Sequence, residues 1–260
     1  MKRKPVKNIT ERHQLILQKL EEDRRVSIQE LSDLMLVSGV TIRKDLKLLE
    51  DKNLLFLTRG GASISNPYAM ERPINEKELI NAKEKQHIAK AALSIIGDND
   101  SIIIGSGTTV FHLARCLHPT HRITVITPAL KVALELCNRP NVEVLQLGGM
   151  LRPNSSSVAG NFAERILEDI SSGVLFLGAD GIDLNFGISI TNLAESSLNQ
   201  KMMDVAQIIV IMADSTKFGR RGLGRICGLE QVQYIVTDDG VPSGIVKQLE
   251  ERGIKVIIAK

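Results

Sequence analysis

Aromatic residues make up only 3% of this 260-residue chain, and tryptophan is absent. Single-stranded nucleic acid is usually held by stacking bases on aromatic side chains, so the composition argues against that mode of recognition. Cysteine is scarce too: Cys116, Cys137 and Cys227 lie far apart in apolar surroundings and form no Cys-x-x-Cys. An odd count without a pairing pattern reads as buried, reduced thiols rather than a disulfide framework or a zinc knuckle. The histidines show no metal spacing; His112, His118 and His121 are close in sequence, but no cysteine or acidic ligand accompanies them. Neither a metal nor a cofactor is expected. The longest apolar runs are strand-sized and no signal peptide precedes them, so the expected protein is soluble and cytoplasmic, with no membrane partner. No internal repeat or low-complexity segment is found.

Charge of one sign is in short supply overall, with a formal net charge of +3, but it is unevenly spread. Residues 1–65 hold 13 Lys/Arg against 9 Asp/Glu, whereas the remainder holds 20 against 21. The positive excess, including Lys2-Arg3-Lys4, sits at one end of the chain. It is modest, so specific contacts must matter as much as bulk attraction for an anionic partner.

What that end does contain is a helical unit with an apolar back and a basic front. Ile16, Leu17 and Leu20 mark a first helix over Thr10 to Asp23. Ser27 opens a second, with Ile28, Leu31 and Leu34 on its inner side. Met35-Leu36-Val37 connects to a third. Ser38 is placed to cap that helix through its first-turn amides. Ile42, Leu46 and Leu49 then form one stripe at i, i+4, i+7, leaving Thr41, Arg43, Lys44 and Lys47 on other faces. A short helix of this kind fits a DNA major groove. Leu54-Leu55-Phe56-Leu57 followed by Arg59-Gly60-Gly61-Ala62 reads as strand, turn and strand, a wing that brings Arg59 toward the DNA backbone. The DNA-contact candidates are Ser38, Thr41, Arg43, Lys44, Lys47 and Arg59. The alternative is a small helical bundle with ordinary solvated charges.

The expected division is a winged helix-turn-helix over 1–64, a polar linker over 65–78 containing Pro67 and Pro73, and a second domain over 79–260. In that domain a helix over Lys83–Ile96 precedes alternating strands and helices. The apolar runs are Ser101–Ile104, Ile123–Ile126, Val142–Leu147, Val174–Leu177, Ile208–Met212, Gln233–Val236 and Lys255–Ile258. Helical stretches separate most of them, which implies an α/β domain with a largely parallel sheet covered on both faces. The whole is therefore an α+β winged unit joined to an α/β domain.

Ligands of such sheets bind outside the carboxyl ends of the strands, so the loops just after the runs carry the information. Gly105-Ser106-Gly107-Thr108-Thr109 opens a helix and offers amides and hydroxyls to an anion; it lacks the lysine and spacing of a Walker loop. Arg152, after Gly148-Gly149, can pair with phosphate or carboxylate, or be a solvated arginine on a loop. Asp180 and Asp183 can accept from sugar hydroxyls, or equally cap turns. Lys217 can meet an anionic group beside Asp214, which serves as well for an N-cap. Together these make an effector-binding set of Gly105, Ser106, Gly107, Thr108, Thr109, Arg152, Asp180, Asp183, Asp214 and Lys217.

Over nearly its whole length the chain resembles the DeoR family of bacterial sugar-metabolism repressors. The residues that carry the likeness are Val37-Ser38, Thr41-Ile42-Arg43, Asp45-Leu46, Leu49 and Gly60-Gly61-Ala62. In the second domain they are Gly107-Thr108-Thr109, Gly148-Gly149, Gly160, Phe176 through Asp183, Gly187, Glu195, Asp214-Ser215 and Lys217-Phe218. The resemblance implies an effector domain similar to ribose-phosphate isomerase and glucosamine-phosphate deaminase folds. It implies a homo-oligomer that binds a double-stranded operator of a carbohydrate operon and is released by a phosphorylated sugar. The family often has Asp where Gly105 stands, Asn at Pro128, Asp at Gly173 and Lys at Asn199. It often has His where Arg59 lies and Gly where Asn53 lies. The changes at Gly105 and Asn199 remove a hydroxyl acceptor and an anion partner that the resemblance would place in the pocket. The fold likeness also permits a second reading, a sugar-phosphate isomerase or deaminase with a helical appendage, in which Asp180, Asp183 or Glu195 would supply a base. The thinned set of ionisable groups argues for a regulator rather than an enzyme.

Overall fold

The computed structural model describes residues 6, 8–51, 54–58, 60–63 and 73–260. The chain divides into two compact units, Met1–Met70 and Glu71–Lys260.

The first unit contains α1 (Ile9–Asp23), β1 (Arg25–Ser27), α2 (Ile28–Met35), α3 (Gly39–Asp51), β2 (Phe56–Thr58) and β3 (Gly61–Ser63). Asn8 caps α1 by accepting from the Thr10 N–H at 2.9 Å. Ser27 and Glu30 cap α2 reciprocally: the Ser27 hydroxyl accepts from the Glu30 N–H, and the Glu30 carboxylate from the Ser27 N–H. Leu36 closes α2 in the left-handed conformation, φ 55°, and so turns the chain toward α3. Ile16, Leu20, Leu31, Met35, Ile42, Leu46 and Leu49 make one core. Each contributes about 2 kcal/mol over remaining exposed. Leu34, expected on the inner side of α2, is instead 40% exposed. Leu31 and Met35 at i, i+4 take the inner stripe, and Leu34 falls to one side of it.

The wing is a three-stranded antiparallel sheet in the order β1-β3-β2. Its first hairpin strand lies at Phe56–Thr58, shifted from the expected Leu54–Leu57, and β1 has no counterpart in the sequence reading. β3 is central, and a Cβ at Gly61 would come within 1.9 Å of the Val26 carbonyl oxygen. Only glycine lets the middle strand approach so closely.

The second unit begins with α4 (Ile74–Leu79), α5 (Ala82–Ala92), β4 (Ser101–Ile104), α6 (Thr108–Cys116), β5 (Ile123–Thr127), α7 (Leu130–Leu136) and β6 (Val142–Gln146). A hairpin of β7 (Met150–Arg152) and β8 (Ser157–Ala159) precedes α8 (Asn161–Leu167) and β9 (Ser172–Gly178). Then come β10 (Gly181–Asp183), β11 (Gly187–Ile190), α9 (Leu193–Asp204), β12 (Ala206–Met212), β13 (Gly224–Cys227), β14 (Tyr234–Asp238), α10 (Ser243–Glu250) and β15 (Lys255–Ala259).

All seven expected apolar runs form strands of one parallel sheet, ordered β15-β14-β12-β9-β4-β5-β6. The continuous apolar character of the inner strands follows from burial on both faces, whereas β6 at one edge alternates half-buried and exposed residues. Ile102, Ile104, Val174 and Phe176 pack with Ile88, Val110 and Val132 from α5, α6 and α7. The intervening Ile103, Leu175 and Leu177 pack with Ala163, Leu198 and Leu249 from α8, α9 and α10. A small antiparallel sheet, β10-β11-β13, is separate and was not expected.

The expected linker, 65–78, is too long. Residues 64–72 lie outside the described residues, but α4 already belongs to the second unit. Ile74 is buried and its N–H donates to the Asn154 carbonyl at 2.7 Å. Polar composition hid a short helix held down mostly by charge. No described helix is long and apolar enough to cross a membrane.

Candidate functional site

In the first unit α3 presents two sides. Ile42, Leu46 and Leu49 are buried, while Arg43, Lys44 and Lys47 are exposed. Ser38 caps the helix as expected: its hydroxyl accepts from the Thr41 N–H at 3.2 Å and lies 3.0 Å from the Thr41 hydroxyl. Lys47 Nζ reaches Glu50 Oε2 at 3.1 Å within the helix. Val40 and Leu48 are exposed beside the basic residues and add apolar surface to this side. Arg59, Asn53 and Lys2-Arg3-Lys4 lie outside the described residues.

The orientation of α3 is fixed from behind by an ion pair that sequence reading missed. Arg12 of α1 grips the buried Asp45 with two bonds, Nε to Oδ2 at 2.6 Å and Nη2 to Oδ1 at 3.0 Å. Such a fork sets both distance and angle. His13 Nε2 lies 3.4 Å from the same carboxylate. The partners are 33 residues apart, so no local pattern announces them.

In the second unit the strand order reverses between β4 and β9: the chain runs outward through β5 and β6, then returns to β9 and proceeds the other way. A crevice opens at the carboxyl ends of strands at such a point. The loops after β4 and β9 flank it, and a Cβ on Gly178 would lie 3.4 Å from the Ser106 carbonyl. Gly107, at φ 114°, leads into α6, whose first residues Thr108 and Thr109 are buried. Gly105 donates its N–H to the Phe176 carbonyl at 2.9 Å. Leu177 fills the space beside it, 2.8 Å from where a Cβ would stand, so the carboxylate that the resemblance would place there has no room without moving Leu177.

Two polar clusters occupy this edge. In one, Glu195 Oε1 accepts from Arg152 Nη1 at 2.7 Å, the Ser157 hydroxyl at 2.8 Å and the Ser106 hydroxyl at 3.3 Å. Arg152 is thus not a solvated loop arginine but a partner of a buried carboxylate. In the other, Asp180 accepts from Lys77 Nζ at 3.0 Å and from the Thr191 N–H and hydroxyl at 3.0 and 2.6 Å. Burial opposes ionisation of Asp180, but Lys77, the Thr191 bond and Lys217 outweigh it and hold the carboxyl below its ordinary range. Asp214 is buried and accepts from Asn81 Nδ2 at 3.2 Å, the Thr216 N–H at 3.1 Å and the Thr216 hydroxyl. It therefore caps the turn after β12, at the carboxyl edge of the sheet. Lys217 is half-buried, and burial lowers its pKa against the pull of Asp214 and Asp180.

Lys77 and Lys85 complete this cluster and were not singled out from the sequence. Lys85 lies on the buried stripe of α5 with Ile88, Ala89 and Ala92, and its ammonium donates to the Lys77 carbonyl. Burial lowers its pKa from 10.5 to about 8, with Lys217 and Lys77 adding repulsion and Asp214 opposing. A lysine in register with an apolar helical stripe is the signal that could have found it.

Asp183 does not join either cluster. Its Oδ1 accepts from the Asn185 and Phe186 N–H groups at 2.9 and 2.7 Å and from Arg221 Nη2 at 3.0 Å. It stabilises the β10–β11 turn, the alternative left open above, and is withdrawn from the effector set. Gly173 stands at the start of β9, beside the Asn99 side chain and some 16 Å along the strand from the crevice. The aspartate that the resemblance would place there would therefore lie away from the crevice.

Residues 12–67 match the DeoR-like helix-turn-helix domain and residues 80–239 the DeoR C-terminal sensor domain. The chain is 36% identical to the HTH-type transcriptional regulator YulB of Bacillus subtilis, over 95% of this chain and 96% of that protein. It is 30% identical to the HTH-type transcriptional repressor CsqR of Escherichia coli, over 95% of this chain and 94% of that one. Among solved structures, ribose 5-phosphate isomerase A of Methanocaldococcus jannaschii matches 53% of this chain and 55% of its own at 15% identity and a TM-score of 0.40. With both domains matched and relatives aligned almost end to end, the chain belongs to the DeoR family of transcriptional regulators.

Proposed function

We propose that this regulator represses a carbohydrate-utilisation operon and is released by a phosphorylated sugar bound at the β4/β9 crevice. The observation that carries the reading is the grouping of Lys77, Lys85 and Lys217 with the half-buried Asp180 and the buried Asp214: Lys77 pairs with Asp180, Lys85 donates to the Lys77 carbonyl, and burial lowers the Lys85 and Lys217 pKa. A site with surplus positive charge and little water gains most from an anion. The lysines and the α6 amides suit a phosphate, and Asp180, Asp214 and Glu195 suit hydroxyls of the sugar.

On the DNA side, α3 enters the major groove. Arg43 and Lys44 touch base edges or phosphates, and Arg59 meets the backbone. Phosphate contacts set register and base contacts set sequence. The effector must bind the DNA-incompetent arrangement more tightly, since equal affinity for both shifts nothing. The active species is a homo-oligomer. Relatives named as a repressor and as an L-fucose operon activator support the regulatory reading. Against catalysis, Asp183 is tied into a turn, and Asp180 is held ionised by three donors rather than poised near neutrality.

The test is calorimetry of the full chain against a panel of pentose and hexose phosphates and the parent sugars. It is paired with binding to the DNA upstream of the adjacent genes. Phosphorylated sugars should bind, the parent sugars should not, and the binder should dissociate the DNA complex. Turnover of a sugar phosphate that is lost in Asp180→Asn would overturn the reading.

A further inference from the structure

The first turn of α3 is held on its inner side. Gly39 lies against α2, where an added Cβ would come within 3.3 Å of Ile28 Cγ2. Ile42 is wholly buried, and its N–H donates to the Ser38 carbonyl at 3.1 Å. The Ser38 and Thr41 hydroxyls lie 3.0 Å apart, and the former also accepts from the Thr41 N–H. Val40, about 200° round the helix from Ile42, is therefore turned outward and is 59% exposed. A single exposed valine needs no explanation by itself. This one heads the basic stripe: Val40, Arg43, Lys44 and Lys47 follow at i, i+3, i+4 and i+7, opposite the buried Ile42, Asp45, Leu46 and Leu49. A β-branched side chain is also a poorer helix former than alanine or lysine, so forming α3 does not account for it.

We propose that Val40 is a specificity residue that reads thymine, packing its two methyl groups on the thymine C5-methyl in the major groove. Residues near the start of a groove helix face base edges. The C5-methyl is the apolar group on those edges, set among hydrogen-bond donors and acceptors. The Val40 side chain offers neither donor nor acceptor, and the hydroxyls of Ser38 and Thr41 on either side are engaged with each other. Against the polar edge of guanine, adenine or cytosine, Val40 would strip water from a donor or acceptor without replacing the bond. Against thymine it buries apolar surface on both partners. Arg43 and Lys44 hold the helix to the DNA, and Val40 selects among sequences. The inference rests on reading α3 as the groove helix.

The test removes only that methyl from the DNA. A duplex recovered by the full chain from a randomised library is resynthesised with each thymine in turn replaced by deoxyuridine, and affinities are compared at one fixed salt. The unaltered chain should lose about fourfold at one position of a half-site, the worth of one buried methyl. Val40→Ile should keep that loss. Val40→Ser, which has no methyl to offer, should bind the thymine and deoxyuridine duplexes equally at that position. A scan without loss at any thymine, or the same loss in Val40→Ser, overturns the proposal; weaker binding of the same duplex by Arg43→Ala/Lys44→Ala then leaves the α3 reading standing. If Arg43→Ala/Lys44→Ala binds as tightly as the unaltered chain, or the library yields no preferred duplex, the α3 reading fails and the proposal with it.

Discussion

Replacing Lys85 with methionine should stabilise the second unit at neutral pH while removing its response to an anionic effector. Methionine is unbranched and nearly as long, so the α5 stripe stays filled. The Lys85 ammonium titrates at about 8 when folded against 10.5 as an ordinary lysine. That difference corresponds to about 3 kcal/mol of disfavoured charge. Partial access to water screens it to about 2 kcal/mol. Losing the bond to the Lys77 carbonyl returns about 1 kcal/mol. The net gain of about 1 kcal/mol should raise Tm by about 2–4 °C for a unit of this size. The pH dependence is more diagnostic than the shift itself. Below pH 8 both folded and unfolded chains carry the proton, and the penalty is fully present. Between about 8 and 10.5 the unfolded state holds more protons, so stability of the unaltered chain rises with pH. Above that window both forms are neutral and the penalty is gone. Melts of Lys85→Met and the unaltered chain should therefore favour the variant by about 1 kcal/mol at pH 7 and cross over on alkalinisation, the variant ending lower by about 1 kcal/mol once only the lost bond remains. A variant that melts lower at pH 7, or a difference that does not change with pH, would refute the argument.

Other outcomes are equally specific. Lys217→Ala should leave DNA binding intact and weaken the phosphorylated effector by about 1.5–3 kcal/mol, the value of a charge-assisted bond, read by calorimetry and DNA release; an undiminished response would remove Lys217 from the crevice. Arg12→Met leaves the buried Asp45 carboxylate with only His13, at 3.4 Å, beside it, and should destabilise the first unit by about 3 kcal/mol, seen as early loss of its transition in circular dichroism melts. Arg43→Ala and Lys44→Ala should each weaken operator binding by about 1–3 kcal/mol where the contact is to a base edge; unchanged affinity in both would contradict placement of α3 in the groove.

The seven-stranded sheet was readable because β-branched runs such as Ser101–Ile104 and Ile208–Met212 are buried on both faces and cannot be mistaken for polar segments. The small sheet was not, since β10 and β11 are three and four residues long and alternate over too short a span to register. Ser106, Asp214 and Lys217 could be placed at the carboxyl edge of the sheet because they closely follow strands. Lys77 and Lys85 were hidden in charged stretches, Glu76-Lys77-Glu78 and Lys83-Glu84-Lys85, that look like solvated helix surface. The two readings of Asp183 stayed open because a turn-capping carboxylate and a ligand-binding one are the same residue beside the same glycines. Only its bonds to two amides and Arg221 tell them apart.

The placement of α4 has a consequence for how a signal leaves the crevice. The first unit ends at Met70, and Lys77, which holds Asp180, follows seven positions later. Glu78 and Asn75 are bridged by Lys131, and Ile74 is tied to Asn154. Lys77 thus ties the start of the second unit to the carboxyl edge of the sheet through Asp180. Under the function proposed above, an effector that draws Lys77 away from Asp180 would loosen that start directly.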